Sequence, residues 1–134
     1  TERLKRQGVD ADVAREEWDG GPGTAVAAVF RQAPVPTLLF AVGERGKPAE
    51  AVADDAADQA VAFRNAGAPV DPHAADQILL PLAFSPDASE YRTTEVTRHL
   101  TTNIDTIRRF LDRGISCDAE EGTPGTVRIA ASGL

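Results

Sequence analysis

Methionine is absent from this chain, and cysteine, tryptophan and tyrosine each occur once. Each shortage excludes something. With Cys117 alone, no internal disulfide can form. A single tryptophan, Trp18, makes no stacking platform for nucleic acid and reads as core or edge packing. The longest apolar run, Ile78 to Phe84, is too short to span a bilayer. No basic segment followed by an apolar one opens the chain, so nothing points to secretion. These absences favour the cytoplasm and no membrane partner. Lysine is nearly absent, with Lys5 and Lys47 the only two among 14 basic residues. The chain opens on Thr1 inside a helix-like "TERLKRQG", which suggests a fragment or a trimmed chain.

What is present is an ordinary globular composition, 42% hydrophobic and 26% charged over 134 residues, enough for one domain or two small pieces. The net charge is −7, which argues against generic nucleic-acid coating, since that needs basic surface. The acidity is uneven. Residues 90–113 hold five arginines and four acids and are the only non-negative segment. The plain reading is a solvated helix with mixed charges. The sharper one is a local anion site.

The pattern predicts a mixed α/β fold, with strands and helices interleaved. Residues 9–16, "VDADVARE", alternate enough to suggest a strand. After the turn signal "DGGPG", the segments "TAVAAVFRQ" and "TLLFAVG" read as two strands joined around "APVP". Pro48 opens a helix with an apolar stripe through Val52, Ala56 and Ala60, and Gly67 is its natural stop. "GAPVDP", Gly67 to Pro72, is the best boundary candidate. "HAADQILLPLAF" reads as a second helix, apolar nearly all round from Ile78 and therefore deeply buried, with a kink or break at Pro81. "SEYRTTEV" reads as a strand. Leu100, Ile104, Ile107 and Leu111 mark a helix over 98–112, capped by Thr97 or, one turn later, by the Thr102–Asp105 pair. Cys117 falls in the first strand of a final hairpin around "EGTPG".

Two polar constellations stand out. His73, Asp76 and Gln77 share one face of a first helical turn. From spacing alone, simple capping of the helix dipole by Asp76 is somewhat ahead of a binding role. His99, Thr102 and Asn103 repeat the arrangement at another helix start, where free amides favour anions such as phosphate. A neutral imidazole there is a competent base or nucleophile. For a lone histidine, however, the exposed or core-satisfied reading stays ahead on spacing alone. "GERGK" lacks the P-loop spacing, "GGPGTA" lacks the dinucleotide spacing, and no zinc set or nucleophile elbow is present.

Taken together, "GERGKPAEAVADDAADQAVAFRNAGAPVDPHAADQILLPLAF" and "TRHLTTNIDTIRRFL" resemble the C-terminal part of RNA 3′-terminal phosphate cyclases. The family pattern "HLADQ-LLP-AL" is matched by "HAADQILLPLAF", and "HLLTN" by "HLTTN" 26 residues later. The match runs from about Gly43 to Leu111. Ala74 and Thr101 stand where the family has leucine, and "FLD" replaces "FLP"; the polar residues are kept.

The resemblance implies a relative of the enolpyruvyl-transferase fold with a thioredoxin-like inserted domain. Residues 1–69 would be the later part of the insertion, and 70–134 the last part of the main cyclase body. It implies an ATP-dependent, ligase-type enzyme that turns RNA 3′-phosphate ends into 2′,3′-cyclic phosphates through a covalent histidine–AMP adduct. His99 falls on the nucleophile, Asp76 and Gln77 on nucleotide contacts, and His73 beside the adenine. A divalent cation, Mg2+ or Mn2+, is implied, with its ligands in an N-terminal half that this chain does not include. The chain alone is therefore expected to be inactive, and to form a homodimer if it exposes apolar surface. Two alternatives remain: a non-catalytic cyclase-like RNA-processing or ribosome-assembly factor, which His99 disfavours, and an unrelated acidic α/β binding domain, which the paired motifs disfavour.

Overall fold

The computed structural model describes residues 2–31 and 35–132. They form a mixed α/β structure with two small antiparallel sheets. The described residues divide into two compact units, the first drawn from residues 2–65 and the second built on residues 66–132.

In the first unit, α1 (Glu2–Arg6) precedes a hairpin of β1 (Ala25–Phe30) and β2 (Thr37–Val42). The strands pair antiparallel from Ala25 opposite Val42 to Phe30 opposite Thr37. The predicted "APVP" connection falls largely on residues 32–34, outside the described residues. Alternation along β2 buries Thr37, Leu39 and Ala41 and leaves Leu38, Phe40 and Val42 outward. The long helix α2 (Ala49–Ala66) covers the buried side. Its stripe of Val52, Ala56, Ala60 and Phe63 is buried at helical spacing, and Val52 and Ala56 pack with Ala41 and Val26. The rings of Phe30 and Phe63 meet at 5.0 Å between centroids, tilted by 54°. Arg3 on α1 bonds Asp54 at 3.1 Å and Asp58 at 2.7 Å, two acids one turn apart on α2. Gly67, at φ 64°, takes the left-handed conformation that ends α2 without a Cβ penalty.

Two expectations fail in this unit. Residues 9–16 form no strand. Val13 is exposed, and alternation without a partner ladder or a buried face does not hold a strand. Trp18 is neither core nor edge packing. It is 84% exposed, and its indole N–H donates to Glu16 Oε2 at 3.0 Å.

The second unit runs α3 (Pro72–Gln77), α4 (Leu79–Phe84), β3 (Ser89–Thr93), α5 (Arg98–Phe110), β4 (Ile115–Cys117) and β5 (Gly125–Ile129). Its sheet has the order β3-β5-β4, both pairings antiparallel, with Tyr91 and Cys117 flanking Val127. The segment at the proposed boundary also takes part. Val70 forms an isolated parallel bridge to Thr93 on the free edge of β3. One sheet face presents Tyr91, Ile115, Val127 and Ile129 to Ala75, Leu79 and Ala83 of α3 and α4, and to Leu100, Ile104 and Ile107 of α5. At roughly 1.5–3 kcal/mol for each fully buried aliphatic side chain, this shared core is what holds α3 and α5 in place. The other sheet face is polar and carries Glu90, Arg92, Ser116 and Arg128.

The break expected at Pro81 falls three residues earlier, at Ile78: α3 ends at Gln77, and α4, which begins at Leu79, runs through Pro81. Proline has no amide to offer the carbonyl of Gln77. The expected deep burial of this helix is corrected. Leu79 and Ala83 are buried, but Leu80 is 46% and Phe84 69% exposed. Apolar composition all round does not bury a helix when the unit has only one side against which to pack it.

Candidate functional site

Both predicted constellations fall on helices of the second unit, the first along all of the short α3 and the second at the start of α5, and each helix is capped by the residue before it. Asp71, itself buried, opens α3. Its carboxylate Oδ1 accepts from the amides of His73 at 2.9 Å and Ala74 at 3.0 Å, and Pro72 fills the first helical position. The helix dipole is thus served by Asp71 rather than Asp76. That removes the capping explanation for Asp76. Its half-buried carboxylate has no hydrogen bond or ion pair among the described residues.

Thr97 opens α5, which settles the two capping alternatives in its favour. Its Oγ1 accepts from the Leu100 amide at 3.2 Å, and its carbonyl accepts from the Thr101 amide at 3.1 Å. The amides of Arg98 and His99 have no acceptor among the described residues. His99 is exposed on this first turn, and Arg98 beside it has no carboxylate partner among the described residues. An exposed imidazole next to two open amides at a positive helix end suits a phosphate.

Asn103 joins the first turns of α5 to the last turn of α3. Its side-chain Nδ2 donates to the backbone carbonyl of Asp76 at 3.0 Å, across 27 residues. Asn103 lies one turn after His99, on the same face of α5. The face bearing His99 therefore adjoins the last turn of α3, which carries Asp76 and Gln77. His73 and Gln77 are exposed on α3. No hydrogen bond or ion pair joins His99 directly to His73, Asp76 or Gln77 among the described residues.

Tyr91 and Thr101 complete the surroundings. The Tyr91 hydroxyl donates to the Ala75 carbonyl at 2.6 Å, inside the core. Burial pushes the Tyr91 phenol well above its ordinary value, and negative charge at Cys117 and Asp76 adds to this, so it stays a donor. Thr101 Oγ1, with one proton to share, lies 2.8 Å from Glu121 Oε1 and 3.1 Å from the Arg98 carbonyl. With the Gly122 amide on the Val96 carbonyl at 2.9 Å, this ties the β4–β5 turn to the start of α5. A leucine at position 101 could not make that bond. The sequence offered no signal for Tyr91, an unremarkable strand residue. Asn103 was visible only as a neighbour of His99 at helical spacing.

A cleft of about 510 Å3, lined by Ser89, Glu90, Ile115, Ser116, Arg128 and Ile129, lies elsewhere in the second unit and contains none of these residues. The candidate site is an open surface across the short helix α3 and the start of α5. Among the described residues, no group of three His, Cys, Asp or Glu side chains is placed to hold a metal ion. No helix is long and apolar enough to cross a membrane.

Residues 4–117 match the family model described as RNA 3′-terminal phosphate cyclase. An RNA 3′-terminal phosphate cyclase of Ectopseudomonas mendocina is 43% identical over 97 residues, 72% of this chain and 28% of that protein. One from Pyrobaculum neutrophilum is 42% identical over 114 residues, covering 82% and 33%. One from Salmonella typhimurium is 35% identical over 112 residues, covering 84% and 33%. The chain thus spans about a third of the length of the curated relatives it matches.

Proposed function

The chain belongs to the RNA 3′-terminal phosphate cyclase family, and on that premise we propose that it is the adenylate-forming segment of an ATP-dependent cyclase acting on RNA 3′-phosphate ends. The observation that carries the proposal is the Asn103–Asp76 hydrogen bond, which sets the His99 helix start beside the Asp76–Gln77 turn. Residues 1–69 belong to the later part of an inserted, thioredoxin-like domain, and residues 70–134 to the last part of a body related to enolpyruvyl transferases. The setting is cytoplasmic.

ATP binds as a substrate, with His73 against the adenine and Asp76 and Gln77 contacting the nucleotide. A neutral nitrogen of His99 attacks the α-phosphorus. A P–N bond forms and pyrophosphate leaves, so the histidine carries AMP. The open amides of Arg98 and His99 and the helix dipole offset the charge gathered on the phosphoryl oxygens. An oxygen of the RNA 3′-phosphate then attacks the same phosphorus, the P–N bond breaks, and AMP passes to the RNA. The neighbouring 2′-hydroxyl attacks the RNA phosphorus, loses its proton to water and expels AMP. The product is the 2′,3′-cyclic phosphate. No step is assigned to the divalent cation that the resemblance implies, because the described residues supply no site for it.

The presence and exposure of His99 favour this reading over a non-catalytic cyclase-like factor. The test is incubation of the polypeptide in its natural length with α-labelled ATP and divalent metal. An acid-labile protein adduct is expected, lost in His99→Ala while the fold is kept. A full-strength adduct in His99→Ala would move the nucleophile elsewhere, and no adduct in the parent would remove the proposal.

A further inference from the structure

We infer that Asn103 is a positioning residue, which holds the turn carrying His99 at a set distance from the turn carrying Asp76 and Gln77. The inference rests on the adenylylation reading above and deepens it.

Pro81 interrupts the hydrogen bonding between α3 and α4. With no proline amide for the Gln77 carbonyl, the helical ladder is interrupted at Ile78, and the last turn of α3 is not continued rigidly into α4. At this interruption, side chains from two other elements reach the backbone. Tyr91 of β3 donates to the Ala75 carbonyl, and Asn103 of α5 donates to the Asp76 carbonyl. Only the second of these bonds runs to the helix that carries His99. A carbonyl accepts and cannot donate, so the group of Asn103 facing it is the amide nitrogen. The bond uses only the main chain of Asp76. The Asp76 carboxylate stays without a partner among the described residues, free for a ligand. Asn103 is partly buried, one turn after the exposed His99, and reaches no reacting group itself. It acts through the α3 backbone.

The consequence is a split between binding and chemistry. If Asp76 and Gln77 hold the nucleotide on α3 and His99 attacks from α5, loosening the link misplaces the attack more than it weakens binding. A misplacement of roughly 1 Å costs on the order of a hundredfold in rate, so Asn103→Leu should slow first-turnover label transfer from α-labelled ATP by about that factor, with ATP affinity changed less than about threefold.

The experiment compares Asn103→Leu, His99→Ala and the parent in the polypeptide of natural length, by label transfer, equilibrium ATP binding and amide hydrogen exchange. Exchange at Gln77 to Leu80 should rise about tenfold in Asn103→Leu, with protection along Ile104 to Ile107 kept. An undiminished transfer rate in Asn103→Leu, with label lost in His99→Ala, overturns the positioning role and leaves the reading standing. Rate and affinity falling together also overturn it, because Asn103 would then serve the fold or the nucleotide directly. Should the parent form no adduct, the reading itself fails. Unchanged exchange at Gln77 to Leu80 would refute the link whatever the label shows.

Discussion

The hydroxyl of Tyr91 donates to the backbone carbonyl of Ala75 at 2.6 Å, sixteen residues back along the chain. A strand residue thereby fixes the short helix that bears His73, Asp76 and Gln77. Tyr91 is the only tyrosine, so its titration can be followed without interference. Burial raises the folded phenol above its ordinary value of about 10. Its contribution to stability is therefore complete below that ordinary value and is lost as pH rises above it. Tyrosinate absorbance should appear only as the second unit unfolds. Tyr91→Phe should cost about 1–3 kcal/mol by leaving a buried carbonyl short of its donor, and should flatten the alkaline dependence. A phenol that ionises at its ordinary pH in the folded protein would contradict this.

Gly125 begins β5 with no room for a side chain. A Cβ there would lie 2.7 Å from Val96 Cγ2 and 2.8 Å from the Ala119 Cβ, and Val96 is fully buried. Gly125→Ala should destabilise the second unit by about 1–3 kcal/mol through overpacking, read by denaturant unfolding. A stability equal to the parent's would mean that the β4–β5 turn yields freely.

The two helix caps differ in what they satisfy. Asp71 is buried and serves two amides, whereas Thr97 serves one. Asp71→Ala and Thr97→Ala should each cost about 0.5–2 kcal/mol, with Asp71 the larger. Asp71→Asn keeps an acceptor oxygen and should recover most of the loss. Thermal unfolding of the three variants checks the order.

Asp76→Ala removes a carboxylate that has no partner among the described residues, but keeps the carbonyl that Asn103 binds. In the polypeptide of natural length, ATP binding should weaken at least about tenfold, near 1.4 kcal/mol, and RNA binding much less. Titration calorimetry with each ligand measures both. Equal losses for the two would refute the nucleotide contact.

How legible each part was depends on how local its cause is. The Leu100, Ile104 and Ile107 stripe, the Thr97 cap, the helix interruption ahead of Pro81 and the β1–β2 and β4–β5 hairpins follow from periodicity, capping chemistry and turn residues, all of which act within a few positions. The strand at 9–16, the packed Trp18 and the buried α4 failed for one shared reason. Each needed a partner surface, and a pattern of apolar residues does not say whether one is there.

The sequence by itself determined which segments coil or extend, which residues cap them, and that "HAADQ" and "HLTTN" belong to one family's pattern. It determined these because backbone dihedrals, local hydrogen bonds and side-chain spacing are properties of neighbouring residues. Only the tertiary structure decided that Asn103 reaches Asp76 across 27 residues, that Tyr91 reaches Ala75, and that Asp71 rather than Asp76 serves the helix end. Those contacts depend on how α3, α5 and β3 share one core, and packing of distant segments is set by the whole buried surface rather than by any stretch of it.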